Sequence, residues 1–266
     1  MVLENREYGN VIGSPDAPYL NGLARRYGLA TRSYGVRHPS LPNYLALTSG
    51  STHGIASDCT DCHVATRNLA DQLDAAGASW KAYLQGLPRP CFEGGSAGRY
   101  AKKHNPFMYY DDIAGNPARC RRVVPYAHLT ADLRSGSLPA FVWISPDLCD
   151  DAHDCPLATA DRHLRRLLPP LLRQLGSHGF LVVTFDEGTT DEGCCGGEAH
   201  GGHIATVVAG HDVRPGARSS APVDHYGVLR TIEDAFGLVH LGAAARARNG
   251  SLAPVFNTPP RGLPRR

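Results

Sequence analysis

The segment at residues 38–44, with the sequence HPSLPNY, combines residue types that suit chemistry on phosphate. Pro42 stands just inside an apolar helical run, so a helix is expected to begin at Ser40 or Leu41. The free N–H groups and the positive dipole at such a helix end favour an anion. The hydroxyl of Ser40 can act there as a nucleophile, and the amide of Asn43 can donate to a phosphoryl oxygen. The alternative is that Ser40 only caps the helix.

Two pairs of oxygen-bearing side chains follow strand-like runs. Glu4 and Asn5 come after a short apolar start, and Asp186 and Glu187 come directly after the clearest strand, residues 180–185. In open α/β sheets, ligands gather beyond the carboxyl ends of the strands. These oxygens suit one divalent ion such as Mg²⁺, Ca²⁺ or Mn²⁺, and Zn²⁺ is a further option. For either pair alone, a solvated turn is the alternative interpretation.

Two other polar groups flank predicted strands. Residues 146–155, PDLCDDAHDC, offer Asp147 and His153 as ligands or hydrogen-bond donors. His203 follows two glycines that allow close backbone approach, so it is a candidate to contact phosphate or to protonate a leaving oxygen. His104 is a weaker candidate. A lone histidine is more often structural, but many of the 13 histidines stand in loops beside acids.

These residues require a fold in which strand ends converge. Apolar strand-like runs alternate with helical stretches, which predicts a single α/β domain with a mainly parallel central sheet flanked by helices and long active-site loops. The predicted strands are 80–84, 140–144, 180–185 and 203–209. The predicted helices are 43–48, 67–76, 157–175 with a break or kink at two prolines, and 224–236. Residues 87–125 and 188–202 are expected to be irregular. The domain is expected to span residues 1–248, before a poorly ordered tail at 249–266.

The composition describes a globular protein without a strong net charge. Its 266 residues are 42% hydrophobic and 20% charged, and 27 basic against 25 acidic side chains leave a charge of +2. These values exclude a disordered chain and a fibrous rod. A near-neutral charge supplies no field to hold a nucleic acid, and no apolar run is long enough to cross a membrane. We therefore expect neither a nucleic-acid complex nor a transmembrane segment.

The eight cysteines indicate disulfide bonds. Several stand close together in loop-like sequence, at positions 59 and 62, 149 and 155, and 194 and 195. Disulfides form in oxidising compartments, so we predict a secreted or cell-envelope protein. Reduced, buried thiols and a cytoplasmic location are the alternative. The first residues lack the basic and apolar regions of an export signal, so we interpret the given chain as a mature or trimmed form.

The motifs together resemble the phosphoesterase family that includes bacterial acid phosphatases and phosphatidylcholine-type phospholipases C, within the alkaline-phosphatase-like superfamily. The resemblance extends to about residue 241. The segments that carry it are 3–9 (LENREYG), 38–44 (HPSLPNY), 103–107 (KHNPF), 147–155 (DLCDDAHDC), 184–188 (TFDEG), 201–203 (GGH), 225–226 (HY) and 229–234 (LRTIED).

The resemblance implies Ser40 as the nucleophile and one divalent metal ion as the cofactor. The implied ligands of that ion are Glu4, Asn5, Asp186 and Glu187. Asn43, His153 and His203 are expected to hold the phosphoryl group, with His104 and Asp147 as further substrate-binding residues.

The implied activity is that of a phosphomonoesterase of the acid phosphatase type, acting through a phosphoserine on a small phosphorylated substrate. Two alternatives stay open, namely a phosphodiesterase or phospholipase C-type hydrolase, and a non-catalytic phosphate-binding module. The natural substrate, the identity of the metal, the disulfide pairing and the oligomeric state are left open.

Overall fold

A six-stranded sheet lies at the centre of the protein, whose computed structural model describes residues 1–197 and 199–262. In chain order the strands are β1 (Val2–Leu3), β2 (Gly28–Tyr34), β3 (Trp80–Leu84), β4 (Ser96–Ala97), β5 (Tyr100–Ala101), β6 (Val123–Pro125), β7 (Phe141–Ser145), β8 (Phe180–Phe185), β9 (His203–Gly210), β10 (Ala217–Ser219) and β11 (Val223–Asp224). The helices are α1 (Tyr8–Val11), α2 (Pro18–Arg26), α3 (Ser40–Ser49), α4 (Leu69–Ala75), α5 (Asp111–Ala114), α6 (Pro117–Cys120), α7 (Ala127–Ser135), α8 (Leu157–Gln174) and α9 (His225–Phe236).

The central sheet has the strand order β1-β8-β9-β2-β10, and β11 also pairs with β2. β9 runs antiparallel to both of its neighbours, whereas the other pairings are parallel. This arrangement confirms the prediction of an α/β domain with a mainly parallel sheet. The predicted strands at 80–84 and 140–144 form a separate parallel sheet of order β6-β3-β7, in which β7 lies beside β1.

Helices cover both faces of the central sheet. α3 and α9 pack together on one face, and α2 and α8 pack together on the other. Successive side chains of β8 therefore enter opposite cores, with Val182 on the α3 face and Val183 and Phe185 on the α8 face. Burial of apolar side chains on both faces holds the strand ends in fixed positions.

Helix α8 continues through Pro169 and Pro170, so the break expected at these prolines is wrong. A proline inside a helix leaves the carbonyl four residues earlier without its N–H donor. Those carbonyls belong to the exposed residues Arg165 and Arg166, where water can satisfy them. The opposite, leucine-rich face of α8 stays buried and keeps the helix in place.

The two ends of α9 follow the sequence prediction. Asp224 is the N-cap, and its Oδ1 accepts a hydrogen bond from the Gly227 N–H at 3.0 Å. Gly237, at φ 65°, ends the helix in the left-handed region. Both signals are local, which is why the sequence alone could place them.

Two segments expected to be irregular or poorly ordered are structured. Residues 87–125 contain two short strands, two 3₁₀ turns (Lys102–His104 and Pro106–Tyr109) and two short helices before β6. Within the expected tail, Leu252, Val255 and Phe256 are buried against the domain. The Arg214 N–H also donates to the Val255 carbonyl at 2.9 Å. The tail therefore packs on the domain through its described part, and residues 263–266 lie outside the described residues.

The eight cysteines form four disulfides, as the sequence predicts for an oxidising compartment. The pairs are Cys59–Cys62, Cys91–Cys120, Cys149–Cys155 and Cys194–Cys195. Three of the four close loops of seven residues or fewer, so they restrain local segments more than they join distant ones. Among the helices that the structure describes, none has the length and apolar character needed to cross a bilayer.

Glu233, a buried carboxyl on α9, makes stability depend on pH. Its Oε1 accepts from the Leu241 N–H at 2.8 Å, and burial raises its pKa from 4.5 to about 8. The folded state holds the proton of the Glu233 carboxyl more tightly than the unfolded chain does. The stability that this proton contributes is therefore present in full below pH 4.5 and is lost as the pH rises toward 8. We expect Glu233→Gln to raise Tm by at least about 2 °C at pH 8 and to leave it unchanged at pH 4.

Thermal unfolding followed by circular dichroism at both pH values measures this difference. Glu93→Gln, which changes an exposed glutamate, is the control and is expected to have no effect at either pH. An equal change at pH 4 and pH 8 for Glu233→Gln contradicts the assignment.

Candidate active site

The carboxyl ends of β1 and β8 bring the two predicted ligand pairs together, because the last residues of these strands pair in parallel register. The backbone N–H of Asn5 donates to Asp186 Oδ1 at 3.0 Å, with Asn5 in the left-handed region at φ 51°. One terminal atom of the Asn5 amide lies 3.1 Å from Glu187 Oε1 and 3.2 Å from Asp186 Oδ1. Glu4, fully buried, completes the group.

Ser40 is the first residue of α3 and faces this group. Its Oγ donates to Glu4 Oε2 at 3.1 Å, and its side chain is almost fully buried. The Tyr44 hydroxyl, one turn further along α3, donates to the other oxygen of Glu4. Helix α3 thus presents the predicted nucleophile and a second hydroxyl to the same carboxylate, with the positive end of its dipole at Ser40.

The three carboxylates of Glu4, Asp186 and Glu187 crowd into one buried space. Burial, together with negative Glu4 and Glu187, raises the pKa of Asp186 well above its ordinary value. Burial also raises the pKa of Glu187, against the attraction of His38. For Glu4, burial acts in the same direction, but the attraction of His104 and the Tyr44 hydrogen bond outweigh it and bring the pKa to about 2. A cation among these oxygens relieves their repulsion.

The donor set fits a divalent metal ion. Asp186 Oδ2 is buried and has no hydrogen-bond partner among the described residues, which is costly for a carboxylate oxygen unless a cation takes the partner's place. The Asn5 amide can turn its oxygen toward the same space, since the two ends of an amide are exchangeable by rotation. Carboxylate and amide oxygens are ligands of Mg²⁺, Ca²⁺ and Mn²⁺, and carboxylates also bind Zn²⁺.

His104 lies inside the site, as a cation between two carboxylates. Its Nε2 is 3.1 Å from Glu4 Oε2, and its Nδ1 is 3.3 Å from Asp151 Oδ2. Burial opposes its charge, but Glu4 and Asp151 raise its pKa to about 9. One ligand atom from each of these three residues lies within 4.8 Å of the others, so Glu4, His104 and Asp151 form a second group able to hold a metal ion.

Asn43 lies on α3 in the turn after Ser40, and its amide bonds to the loop before that residue. Its Oδ1 accepts from the N–H groups of Val36 at 2.8 Å and Arg37 at 3.0 Å. Its Nδ2 donates to the carbonyls of Arg37 at 2.6 Å and Pro39 at 3.1 Å. The amide is fully buried and both of its ends are engaged. It therefore shapes the loop before Ser40, and its contact with a phosphoryl oxygen stays a prediction.

His153 lies at the mouth of the site, in contact with a lysine that the sequence analysis did not single out. Lys103 Nζ is 3.3 Å from His153 Nε2 and donates to Asp58 Oδ2 at 3.0 Å. The other oxygen of Asp58 accepts from the Leu41 N–H at 2.9 Å, in the first turn of α3. The ion pair between Lys103 and Asp58 thus connects His153 to Leu41, the residue after Ser40.

The contacts described for His203 are with the sheet and with Tyr8. Its ring stacks against Tyr8 at 4.4 Å and Tyr34 at 5.1 Å between centroids, and its Nε2 donates to the Thr31 carbonyl at 2.9 Å. The first of the two glycines before His203 is also required by the packing of the backbone. A Cβ on Gly201 would lie 2.7 Å from the Gly35 backbone carbon, so its lack of a side chain lets two backbone segments approach each other.

Asp147 also differs from its predicted role. Its Oδ1 accepts from the N–H groups of Cys149 and Asp150, each at 3.0 Å, which forms a turn at the start of the loop. This turn leads to Asp151 and His153, so Asp147 acts on the site through the loop conformation.

The residues that sequence reasoning missed are charged partners of the predicted ones. His38 Nδ1 is 2.5 Å from Glu187 Oε2, and its Nε2 donates to the Thr190 carbonyl at 2.9 Å. These two contacts raise the pKa of His38 against the effect of burial. His38 lies two residues before Ser40, and Lys103 lies directly before His104, so their positions in the sequence could have marked them as candidates. Asp58, 45 residues before Lys103, carries no such signal.

The fold is that of the alkaline phosphatase superfamily. A superfamily protein from Vibrio parahaemolyticus matches with a TM-score of 0.56 and 14% identity, over 87% of this chain and 64% of that one. The lipoteichoic acid synthase of Listeria monocytogenes matches with a TM-score of 0.60 and 10% identity, over 95% of this chain and 75% of that one. At such identities the likeness shows the fold alone.

Sequence comparison identifies the family to which the chain belongs. The model of the Phosphoesterase family matches residues 10–239, and the chain belongs to this family of hydrolases acting on phosphoric esters. A phosphatidylinositol-3-phosphatase of Mycobacterium tuberculosis is 32% identical over 93% of this chain and 79% of its own length. An acid phosphatase of Aspergillus fumigatus is 29% identical over 90% of this chain, which spans 54% of that enzyme.

The hydrogen bonds of Asn43 predict a loss of stability when its amide is removed. Asn43→Ala leaves two N–H groups and two carbonyls near Ser40 without partners, and each buried unpaired group costs about 1–3 kcal/mol. We expect a decrease in Tm of at least about 5 °C. Asn257→Ala, at an exposed position, is the control. A variant with unchanged Tm and a raised KM instead supports direct substrate binding by Asn43.

Proposed function

We propose that the protein is a metal-dependent phosphomonoesterase that acts through a phosphoserine at Ser40. The observation that carries the proposal is the placement of Ser40 Oγ, 3.1 Å from Glu4 Oε2 at the N-terminus of α3. That hydroxyl borders a buried group of oxygen ligands, Glu4, Asn5, Asp186 and Glu187. A nucleophile, an anion-attracting helix end and a cation site are therefore in one place.

A divalent ion held by Glu4, Asn5, Asp186 and Glu187 supplies positive charge that lowers the pKa of a neighbouring hydroxyl and stabilises phosphoryl oxygens. The ligand group itself is supported by the partnerless Asp186 Oδ2 and by the crowding of three carboxylates. The group formed by Glu4, His104 and Asp151 shares Glu4 with it. Because the two ring nitrogens of His104 each face a carboxylate oxygen, at 3.1 Å from Glu4 and 3.3 Å from Asp151, we assign it to charge balance.

The chain's own groups define the order of events. The Ser40 hydroxyl hydrogen points to Glu4, so its oxygen is free to attack phosphorus in line with the leaving oxygen. The bond from Ser40 Oγ to phosphorus forms as the bond to the leaving oxygen breaks; the Ser40 proton passes by way of Glu4 Oε2 to solvent, and the leaving oxygen takes a proton from solvent. Water then attacks the phosphoserine, so that its hydroxyl stays on the released phosphate and its other proton restores the Ser40 hydroxyl. His153, at the mouth of the site, faces the outer side of the phosphoryl group.

The preference for monoesters is supported by the relatives. The Mycobacterium tuberculosis relative is a phosphatidylinositol-3-phosphatase, and the relative from Aspergillus fumigatus is an acid phosphatase. We extend this preference to a small phosphorylated substrate of the present protein. The four disulfides support a secreted or cell-envelope location, because such bonds persist in oxidising compartments.

Replacement of Ser40 tests the nucleophile. We expect Ser40→Ala to lower kcat for p-nitrophenyl phosphate by about 10³-fold or more, because no other group supplies the attacking oxygen. Ser49→Ala is the matched control, since Ser49 is a buried serine at the opposite end of the same helix. Turnover is measured by release of p-nitrophenolate, with bis(p-nitrophenyl) phosphate in parallel.

The two esters separate the candidate functions. A higher kcat/KM with the monoester supports the phosphomonoesterase, and a higher value with the diester supports the phosphodiesterase alternative. A wild-type protein that turns over neither ester contradicts hydrolysis. Undiminished turnover in Ser40→Ala contradicts the assigned nucleophile.

The metal site has a test that does not depend on turnover. Wild-type protein stripped with EDTA is expected to gain Tm on addition of at least one of Mg²⁺, Ca²⁺, Mn²⁺ or Zn²⁺, since an ion that binds only the folded state stabilises it. Asp186→Asn is expected to lose this gain, because it removes charge at the centre of the ligand group. Asp132→Asn, which breaks an ion pair with Lys81 outside the site, is expected to retain it. A gain of equal size in Asp186→Asn and wild type contradicts the ligand set.

A further inference from the structure

Lys103 is a charged residue at the mouth of the site to which the reaction described above assigns no task. It lies in the 3₁₀ turn Lys102–His104, directly before His104. Its Nζ donates to Asp58 Oδ2 at 3.0 Å and lies 3.3 Å from His153 Nε2. The side chain is 20% exposed, so it reaches both the site and the solvent.

The partner of His153 decides which of the two residues can donate a hydrogen bond. His153 Nδ1 is 2.7 Å from Asp154 Oδ1, and a carboxylate accepts, so Nδ1 carries the hydrogen. In the neutral ring, Nε2 then has a lone pair that faces the ammonium of Lys103. The available hydrogen-bond donor at this point is therefore Lys103 and not the imidazole.

The partner of Lys103 is also bonded to the residue that follows the nucleophile. Asp58 accepts from Lys103 through one oxygen and from the Leu41 N–H, at 2.9 Å, through the other. Leu41 is the residue next to Ser40. The ion pair with Asp58, at 3.0 Å, favours the charged form of Lys103, which is the ordinary form of a lysine near neutral pH.

The position of Asp58 is itself restrained. The adjacent Cys59 is bonded to Cys62, and its carbonyl accepts from the Tyr109 hydroxyl at 2.8 Å. The Thr60 carbonyl accepts from Lys102 Nζ at 2.8 Å. Asp58 is therefore held on one side by a short closed loop and on the other by α3, and Lys103 has a fixed partner.

We propose that Lys103 binds the phosphoryl oxygens on the side of the substrate that faces away from the carboxylate group, and that it sets the preference for monoesters over diesters. The proposal rests on the phosphomonoesterase function proposed above. An ammonium has three donors, so Lys103 can keep its bond to Asp58 while it exchanges His153 for a phosphoryl oxygen.

The charge of the substrate explains the selectivity. A phosphate monoester carries close to two negative charges at neutral pH and has three terminal oxygens, whereas a diester carries one charge and has two. In the proposed arrangement, Lys103 contacts the terminal oxygen of the monoester that faces away from the metal ligands. In a diester, the second ester group takes the place of this oxygen. Loss of Lys103 therefore removes an interaction that is stronger with the monoester.

The competing explanation is that Lys103 only holds Asp58 in place at the end of α3. In that case its removal disturbs Ser40 through Leu41, which weakens the reaction with both esters equally. The two roles are therefore distinguished by the ratio of the two activities and by the binding of inorganic phosphate.

The experiment compares Lys103→Met, Lys103→Arg and wild type, each loaded with the ion that stabilises wild type. For Lys103→Met we expect kcat/KM for p-nitrophenyl phosphate to decrease by about 100-fold and kcat/KM for bis(p-nitrophenyl) phosphate by less than about tenfold. The inhibition constant of inorganic phosphate is expected to rise in parallel with the loss for the monoester. Lys103→Arg keeps the charge and is expected to restore most of the ratio.

Lys81→Met is the matched control, because Lys81 forms an ion pair of similar exposure with Asp132 at 2.7 Å. Lys81→Met is expected to change neither the ratio of kcat/KM between the two esters nor the inhibition constant of inorganic phosphate. Equal losses for both esters in Lys103→Met, or an unchanged inhibition constant for phosphate, overturn the proposal. If wild type turns over neither ester, the phosphomonoesterase proposal fails by itself. In that case, the rise in Tm on addition of inorganic phosphate tests the role of Lys103. Phosphate binding by Lys103 requires a smaller rise in Lys103→Met than in wild type.

Discussion

The parallel register between β1 and β8 is the constraint on which the site depends. The two strands pair at their last residues, so Glu4 and Asp186 leave the sheet side by side. A slip of one residue would turn one of them to the opposite face, because side chains alternate along a strand. Ser40, Tyr44 and His104 all contact Glu4, so each of them depends on the same pairing.

Charge balance explains much of the remaining arrangement. Three acids of the site have a basic side chain beside them, with His104 beside Glu4, His38 beside Glu187 and Lys103 beside Asp58. Buried charges are costly unless they are paired, so these partners offset the burial of the acids. Asp186 is the exception, since the backbone N–H of Asn5 reaches only one of its oxygens. The region around Asp186 is therefore where we propose that the metal ion binds.

The sequence predicted the parts of this site that depend on local signals, and it missed those that depend on distant partners. The start of α3, the two ends of α9 and the acids after β1 and β8 follow from capping residues and strand ends. The contacts of His203 with Tyr8, Tyr34 and Thr31, which are distant in sequence, were not foreseen, and its contact with phosphate stays a prediction. The bonds of Asn43 to the preceding loop were not foreseen, because nothing in a helical pattern shows that this loop turns back over it. Lys103 and Asp58 required the tertiary structure, since 45 residues separate them.

The far end of α3 adds an evolutionary constraint to this picture. A Cβ on Gly50 would lie 2.1 Å from the Leu241 carbonyl oxygen, and one on Gly242 would lie 2.4 Å from the Gly50 oxygen. Both glycines also have positive φ values, which disfavour other residues. Natural variation is therefore expected to spare these two positions as strictly as the nucleophile itself. A mutation there displaces the helix that carries Ser40, although it alters no residue within reach of a substrate.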